Sequence, residues 1–293
     1  MENANGMLPR PELKRRAKER FLANYRACAG VAFAVALVSV GLSLLTSLFQ
    51  QPTEMAMLDP SRYLLAMLLL ALISLISSTL TIEAYHFFLR VYRGEKMRVG
   101  EFFASITVDV GRKMGAALWM ELFIALWALL AMLPGVIAMV IAGSVSMSAA
   151  DGIVTVALCL MYAAVIVVVI KSLSYGMMYY IIRDCPGVRV RAAMKLSMRM
   201  MKGNKGKLFV LLLSFFGWIL LMMSPVILVA LAAPESVGAL AVAAVITLVA
   251  VIVFLTPYLY AAQAGFYDEL KRVSLAGGVI AGGELDAGDS RQA

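Results

Sequence analysis

A single histidine and three cysteines in 293 residues leave little from which to build a metal centre or a disulfide framework. Cys28, Cys159 and Cys185 show no CxxC spacing and read as unpaired thiols. No stretch reads as G-x-S-x-G, H-E-x-x-H or a P-loop, and GNKGKLF at Gly203 lacks the phosphate-loop spacing. Charge is sparse too, at 15 % of residues. These absences point away from ordinary hydrolases and NTPases and from a resident cofactor or metal.

What is present is apolar. Hydrophobic residues make up 62 % of the chain and the mean hydropathy is +0.88, far outside soluble-domain usage. A helix needs ~20 apolar residues to cross a hydrocarbon core of about 30 Å. Six stretches satisfy this, at roughly 27–49, 63–88, 115–142, 152–182, 208–232 and 237–264. They are continuous rather than alternating, which excludes barrel strands. The first is too long for a cleavable signal peptide and no small-residue cleavage site follows it.

Lysine and arginine set the orientation. Seven precede the first span, six lie between spans two and three, eight between spans four and five, and three follow span six. The other loops hold Arg62 alone, so both termini are expected on the cytoplasmic side of a bacterial inner membrane. The net charge of +8 then reads as topology and contact with anionic lipid headgroups, not nucleic-acid binding.

Shifting the chain by about 91 residues places Gly115 on Gly206, Trp127 on Trp218 and Pro134 on Pro225 without a gap. The expected fold is an all-α polytopic bundle of six transmembrane helices in three parallel hairpin repeats, roughly 8–90, 94–183 and 185–272. These form one membrane domain over 1–272, and a Gly/Ala/Asp-rich tail, 273–293, is expected to be disordered. Each repeat opens with an amphipathic stretch expected to lie flat in the headgroup layer. The stripes are Leu13, Ala17 and Phe21; Val99, Phe102, Phe103, Ile106 and Val110; and Val190, Met194, Met198 and Met201. Beside them run Lys14, Arg15 and Lys18 in the first repeat and Arg191, Lys195, Arg199 and Lys202 in the third. These cations are interfacial anchors, or a surface for anionic lipid or an acidic partner protein. The methionines, 20 in all, read as gap-fillers between helices rather than a soft-metal site.

Four ionisable residues fall within the spans: Glu83, His86, Glu121 and Lys171. Each costs about 2.5–3.5 kcal/mol on insertion scales if unpaired. The repeat register sets Lys171 near the depth of Glu83 and Glu121, so its stem can snorkel toward either carboxylate, with Glu121 the expected partner. The cluster is either a structural ion pair or the lining of a functional cavity, and His86 reads as an interfacial polar tip.

Three segments carry a resemblance. MKGNKGKLFVLLLSFFGWILL (201–221), TPYLYAAQAGFYDEL (256–270) and LANY (22–25) resemble the bacterial integral membrane proteins catalogued as domain of unknown function 975. That resemblance implies six spans and cytoplasmic termini, without a reaction. The chain is also distantly similar to the membrane domain of some glycerophosphodiester phosphodiesterases. The sequence reading is therefore a non-catalytic, lipid-associated scaffold or partner-binding membrane subunit. Its alternative is a small transporter or lipid-handling protein with a polar cavity open to the cytoplasm.

Overall fold

The computed structural model describes residues 6–49, 60–144 and 147–285. Among them the chain is all-helical. In order come α1 (Arg10–Ala23), α2 (Tyr25–Phe49), α3 (Pro60–Tyr92), α4 (Val99–Ile106), α5 (Val110–Ala142), α6 (Met147–Tyr175) and α7 (Met178–Asp184). They are followed by α8 (Val190–Met200), α9 (Lys205–Leu213), α10 (Phe216–Ala232), α11 (Val237–Ala250), a π-turn (Val251–Leu255), α12 (Thr256–Ala276) and α13 (Gly282–Leu285). Six segments are long and apolar enough to cross a membrane: Tyr25–Leu45, Leu64–Tyr92, Val110–Ala142, Asp151–Asp184, Lys205–Ala232 and Val237–Ala276.

Most of these segments outrun a bilayer. The 33 residues of α5 rise ~50 Å at ~1.5 Å each, against a hydrocarbon core of about 30 Å. The surplus lies at the end where the basic loops and both chain ends gather, and there the core forms. Its largest fully buried side chains include Phe87, Phe88, Phe102, Lys113, Tyr180, Phe215 and Tyr267. Away from this platform the helices continue as three hairpins, α2/α3, α5/α6 and α10/α11. Their faces expose Leu44, Leu68, Leu129, Val140, Ile166 and Leu231, as helices do when lipid is the neighbour. The α5/α6 hairpin is the tightest, because a side chain on Gly135 would sit 2.7 Å from Met161 and 3.2 Å from the Ala157 carbonyl.

Three spans break where leg meets platform. Span four breaks between Tyr175 and Met178, and the Ser197 hydroxyl of α8 satisfies the interruption by donating to the Ser174 carbonyl at 2.9 Å and accepting from Met177 N–H at 3.2 Å. Span five breaks at Ser214–Phe215. Span six widens into the π-turn just before Pro257, whose ring removes a backbone donor. The Thr256 hydroxyl donates to the Val251 carbonyl at 3.1 Å across that turn.

The amphipathic helices depart from expectation. Leu13, Ala17 and Phe21 of α1, Phe102 of α4, and Ala193, Met194, Leu196 and Met200 of α8 are buried in the protein core rather than laid on lipid. Phe103 and Met198 of the expected stripes are exposed instead. Each helix turns sharply into the next span, at Asn24, at Asp109 with φ 51°, and at Gly203 with φ 81°. Asp tolerates that left-handed conformation better than most residues. The tail also departs from expectation up to residue 285. There α12 runs to Ala276, Ile280 and Leu285 are buried, and Arg199 holds Glu284 at 2.8 Å. Residues 286–293 lie outside the described residues.

Gly265 of α12 meets the Tyr92 ring so closely that a Cβ there would lie 2.5 Å from it, whereas a Cβ on Gly111 meets nothing within 4 Å. Gly265→Ala is expected to destabilise the detergent-solubilised protein by about 1–3 kcal/mol. Gly111→Ala should leave the thermal midpoint unchanged or raise it slightly. Fluorescence-detected thermal unfolding of both variants checks the contrast.

Candidate functional site

The platform is organised around one carboxylate. Glu83 on α3 accepts from Lys113 Nζ of α5 at 2.8 Å, and Arg183 Nε of α7 lies 2.9 Å from the same oxygen. Glu83 and Lys113 are fully buried and the Arg183 side chain nearly so. Lys113 spends its other donors on the carbonyls of Ser105 at 3.1 Å and Ile106 at 2.7 Å, which fastens the end of α4 to the same point. A buried pair survives its desolvation penalty only with this kind of additional hydrogen bonding.

A second network joins the ends of three spans. Asp184 accepts from Arg93 through both oxygens, from Lys271 Nζ at 2.6 Å and from the Tyr267 hydroxyl at 3.0 Å. Arg93 reaches Asp268 as well, at 2.8 Å. Arg112 donates to the carbonyls of Cys185 at 2.9 Å and Val188 at 2.6 Å. Beneath lies an aromatic cluster: Tyr85 packs on Tyr180 and Tyr260 at 5.0 and 5.2 Å, and Tyr180 stacks on Tyr267 at 5.0 Å.

The four intramembrane candidates do not form one cluster. Glu83 belongs to the platform. Glu121, half-buried on α5, accepts from the α3 hydroxyls of Ser78 at 2.6 Å and Ser74 at 3.2 Å. Lys171 lies over the Trp127 ring, 3.5 Å from its centroid, and the Trp127 Nε1–H donates to the Tyr175 hydroxyl at 2.9 Å. His86 is half-buried with no hydrogen bond or ion pair among the described residues. The expected Lys171–Glu121 pair is thus replaced by a cation–π contact. Trp127 faces Lys171 across the α5/α6 seam, while Glu121 is engaged by α3, and an ammonium over a desolvated indole is worth about 2 kcal/mol.

The basic surface divides as well. Arg191 lies 4.6 Å from the Trp119 ring centroid, and Lys195 and Lys202 are exposed, whereas Arg199 is neutralised by Glu284. Hydrogen bonding to Arg199 holds the Glu284 carboxyl below its usual range. On α1, Lys14 donates to the Ser214 hydroxyl at 3.1 Å and covers the Phe215 ring. Arg15 is paired with Glu12 and Glu19, while Lys18 is exposed. Hydrogen bonds from Arg15 and Arg16 pull the Glu12 carboxyl down to about 2, so that pairing persists at any physiological pH.

The segments that carried the family resemblance are joints of this platform. Asn24 donates to the Met97 carbonyl at 2.9 Å, Phe215 meets Tyr258 edge-on at 5.0 Å, and Tyr267 anchors Asp184. The chain belongs to the family described as protein of unknown function (DUF975), whose model matches residues 7–274. No curated protein and no solved structure matches it. The similarity to the glycerophosphodiester phosphodiesterase membrane domain rests on the sequence resemblance alone.

Removing one partner of a buried ion pair costs about 3–5 kcal/mol. Glu83→Gln and Lys113→Met should each destabilise the solubilised protein on that scale, and the double variant should lose less than the sum by about 1–3 kcal/mol. Lys171→Met and Glu121→Gln are expected to add within ~0.5 kcal/mol. Thermal-shift double-mutant cycles read both pairs.

Proposed function

We propose that this multi-pass member of the family acts as a non-catalytic scaffold or partner-binding subunit. Its platform would lie against the cytoplasmic leaflet of the bacterial inner membrane, with both termini on that side. The observation that carries this reading is how the polar groups are used. Glu83, Lys113, Arg183, Asp184 and Lys271 are consumed in joining α3, α4, α5, α7 and α12, and Lys171 is consumed by Trp127. Groups committed to one another in a packed core fix a shape; a transport path needs polar groups facing a hydrated lumen.

The cations left at the surface suit anionic lipid headgroups. Arg191 over Trp119 combines a charge with an interfacial indole, and Lys195 and Lys202 follow along the same segment. Lys18 extends the positive surface on α1. An acidic protein partner would use the same residues.

Each such charge contributes about 1 kcal/mol near an anionic surface. Replacing Arg191, Lys195 and Lys202 together with glutamine should lower the phosphatidylglycerol and cardiolipin retained by the purified protein by at least about tenfold at low salt. The thermal midpoint should stay unchanged. Lipid extraction with mass-spectrometric quantification measures it, and undiminished anionic lipid in the variant would remove this reading of α8.

A further inference from the structure

Of the two carboxylates among the intramembrane candidates, Glu83 is paired with cations and Glu121 is not. Among the described residues Glu121 forms no ion pair with a lysine, arginine or histidine; it accepts from the hydroxyls of Ser74 and Ser78. It is only half-buried, Ser74 is exposed, and Leu118, Leu122 and Leu126 around it on α5 are exposed large apolar side chains. The α3/α5 seam therefore opens toward the surface that faces lipid.

Depth decides what can reach it. Roughly twenty residues, or ~30 Å at ~1.5 Å per residue, separate Glu121 from the far end of α5 at Ala142. That is the full thickness of a hydrocarbon core, so the carboxylate stands where the acyl region gives way to headgroups. Trp119, half a turn toward the platform and covered by Arg191, marks the same level in the manner of an interfacial aromatic.

We propose that Glu121, Ser74 and Ser78 form a binding site for the primary ammonium of an aminophospholipid headgroup, of the phosphatidylethanolamine class. The carboxylate supplies the opposite charge and accepts N–H donors, giving a charge-assisted hydrogen bond at a place of reduced dielectric. The Ser78 hydroxyl, at 2.6 Å, fixes the carboxylate toward the seam, and Ser74 at its open edge adds a polar neighbour for the headgroup. The lipid's acyl chains then lie along the exposed apolar faces of α3 and α5, where Leu72, Leu126 and Leu129 are available. An anionic headgroup would be repelled here, so this site and the cationic face of α8 select opposite headgroup charges from one leaflet. The site goes beyond the anionic-lipid reading and does not depend on it.

The test uses delipidated full-length protein in detergent, titrated with short-chain phosphatidylethanolamine or with phosphatidylglycerol of the same chains, and native mass spectrometry to count bound lipid. The wild type should hold phosphatidylethanolamine, and Glu121→Gln should weaken that binding about tenfold, the scale of one charge-assisted hydrogen bond. Ser78→Ala should give an intermediate loss, and phosphatidylglycerol binding should follow the α8 cations instead. As a check independent of folding in the variants, dicyclohexylcarbodiimide should modify Glu121 in the wild type, and phosphatidylethanolamine but not phosphatidylglycerol should protect it. Unchanged phosphatidylethanolamine binding in Glu121→Gln, or equal protection by both lipids, overturns the proposal. Loss of phosphatidylglycerol binding in the α8 variant would still leave the anionic-lipid reading standing.

Discussion

Glu83 brings together elements that the membrane itself has no means of assembling. Inside a bilayer, apolar helices gain little from burying apolar surface against one another, because lipid is an equally good neighbour. A carboxylate, an ammonium and a guanidinium removed from water have far less choice. With Lys113 and Arg183 on one oxygen and the Ser105 and Ile106 carbonyls on the ammonium, four helices are fixed at one point. The Asp184 network and the tyrosines then extend that point into a platform. The legs beyond it are held by close packing within each hairpin, as at Gly135, rather than by a common core.

This arrangement accounts for the placement of the helix breaks. A span that must both pack in the platform and follow its hairpin partner through lipid changes direction between the two tasks. Spans four, five and six do so at Gly176, at Ser214–Phe215 and at the π-turn before Pro257. Ser197 repairs the first break, Lys14 and Tyr258 cover the second, and Thr256 spans the third. At the first break the freed backbone groups lie within packed protein, between buried Ser174 and Met178, the setting in which a membrane protein tolerates them.

The six spans were legible because length and hydropathy decide membrane insertion, and the all-helical class followed directly. The ion pairs were less legible. The apolar run begins near residue 115 and leaves Lys113 in the loop, yet α5 starts at Val110 and carries the lysine into the core. The usable signal was Glu83 itself, a carboxylate in need of a countercharge with Lys113 at the adjoining span's entrance. Depth alone points Lys171 to a carboxylate, but depth does not report which way a side chain turns, and Trp127 lies across the seam. Periodicity finds an apolar face without saying whether protein or lipid covers it. Here protein covers Phe21, Phe102 and Met194.

The central claim is that packing belongs to the platform and the legs stand in lipid. Spin labels placed singly along residues 153–170 of α6, in the full-length protein in bilayers, test it through their accessibility to dissolved oxygen. Tyr162 and Ile166 are 73 % and 62 % exposed, whereas Ala157 and Ala164, at 0 % and 2 %, face α5. The account predicts high oxygen accessibility at Val156, Tyr162 and Ile166, with dips confined to the face of Ala157, Met161, Ala164 and Val168. A broad protected face that includes Tyr162 and Ile166 would contradict it, because the legs would then share a core of their own.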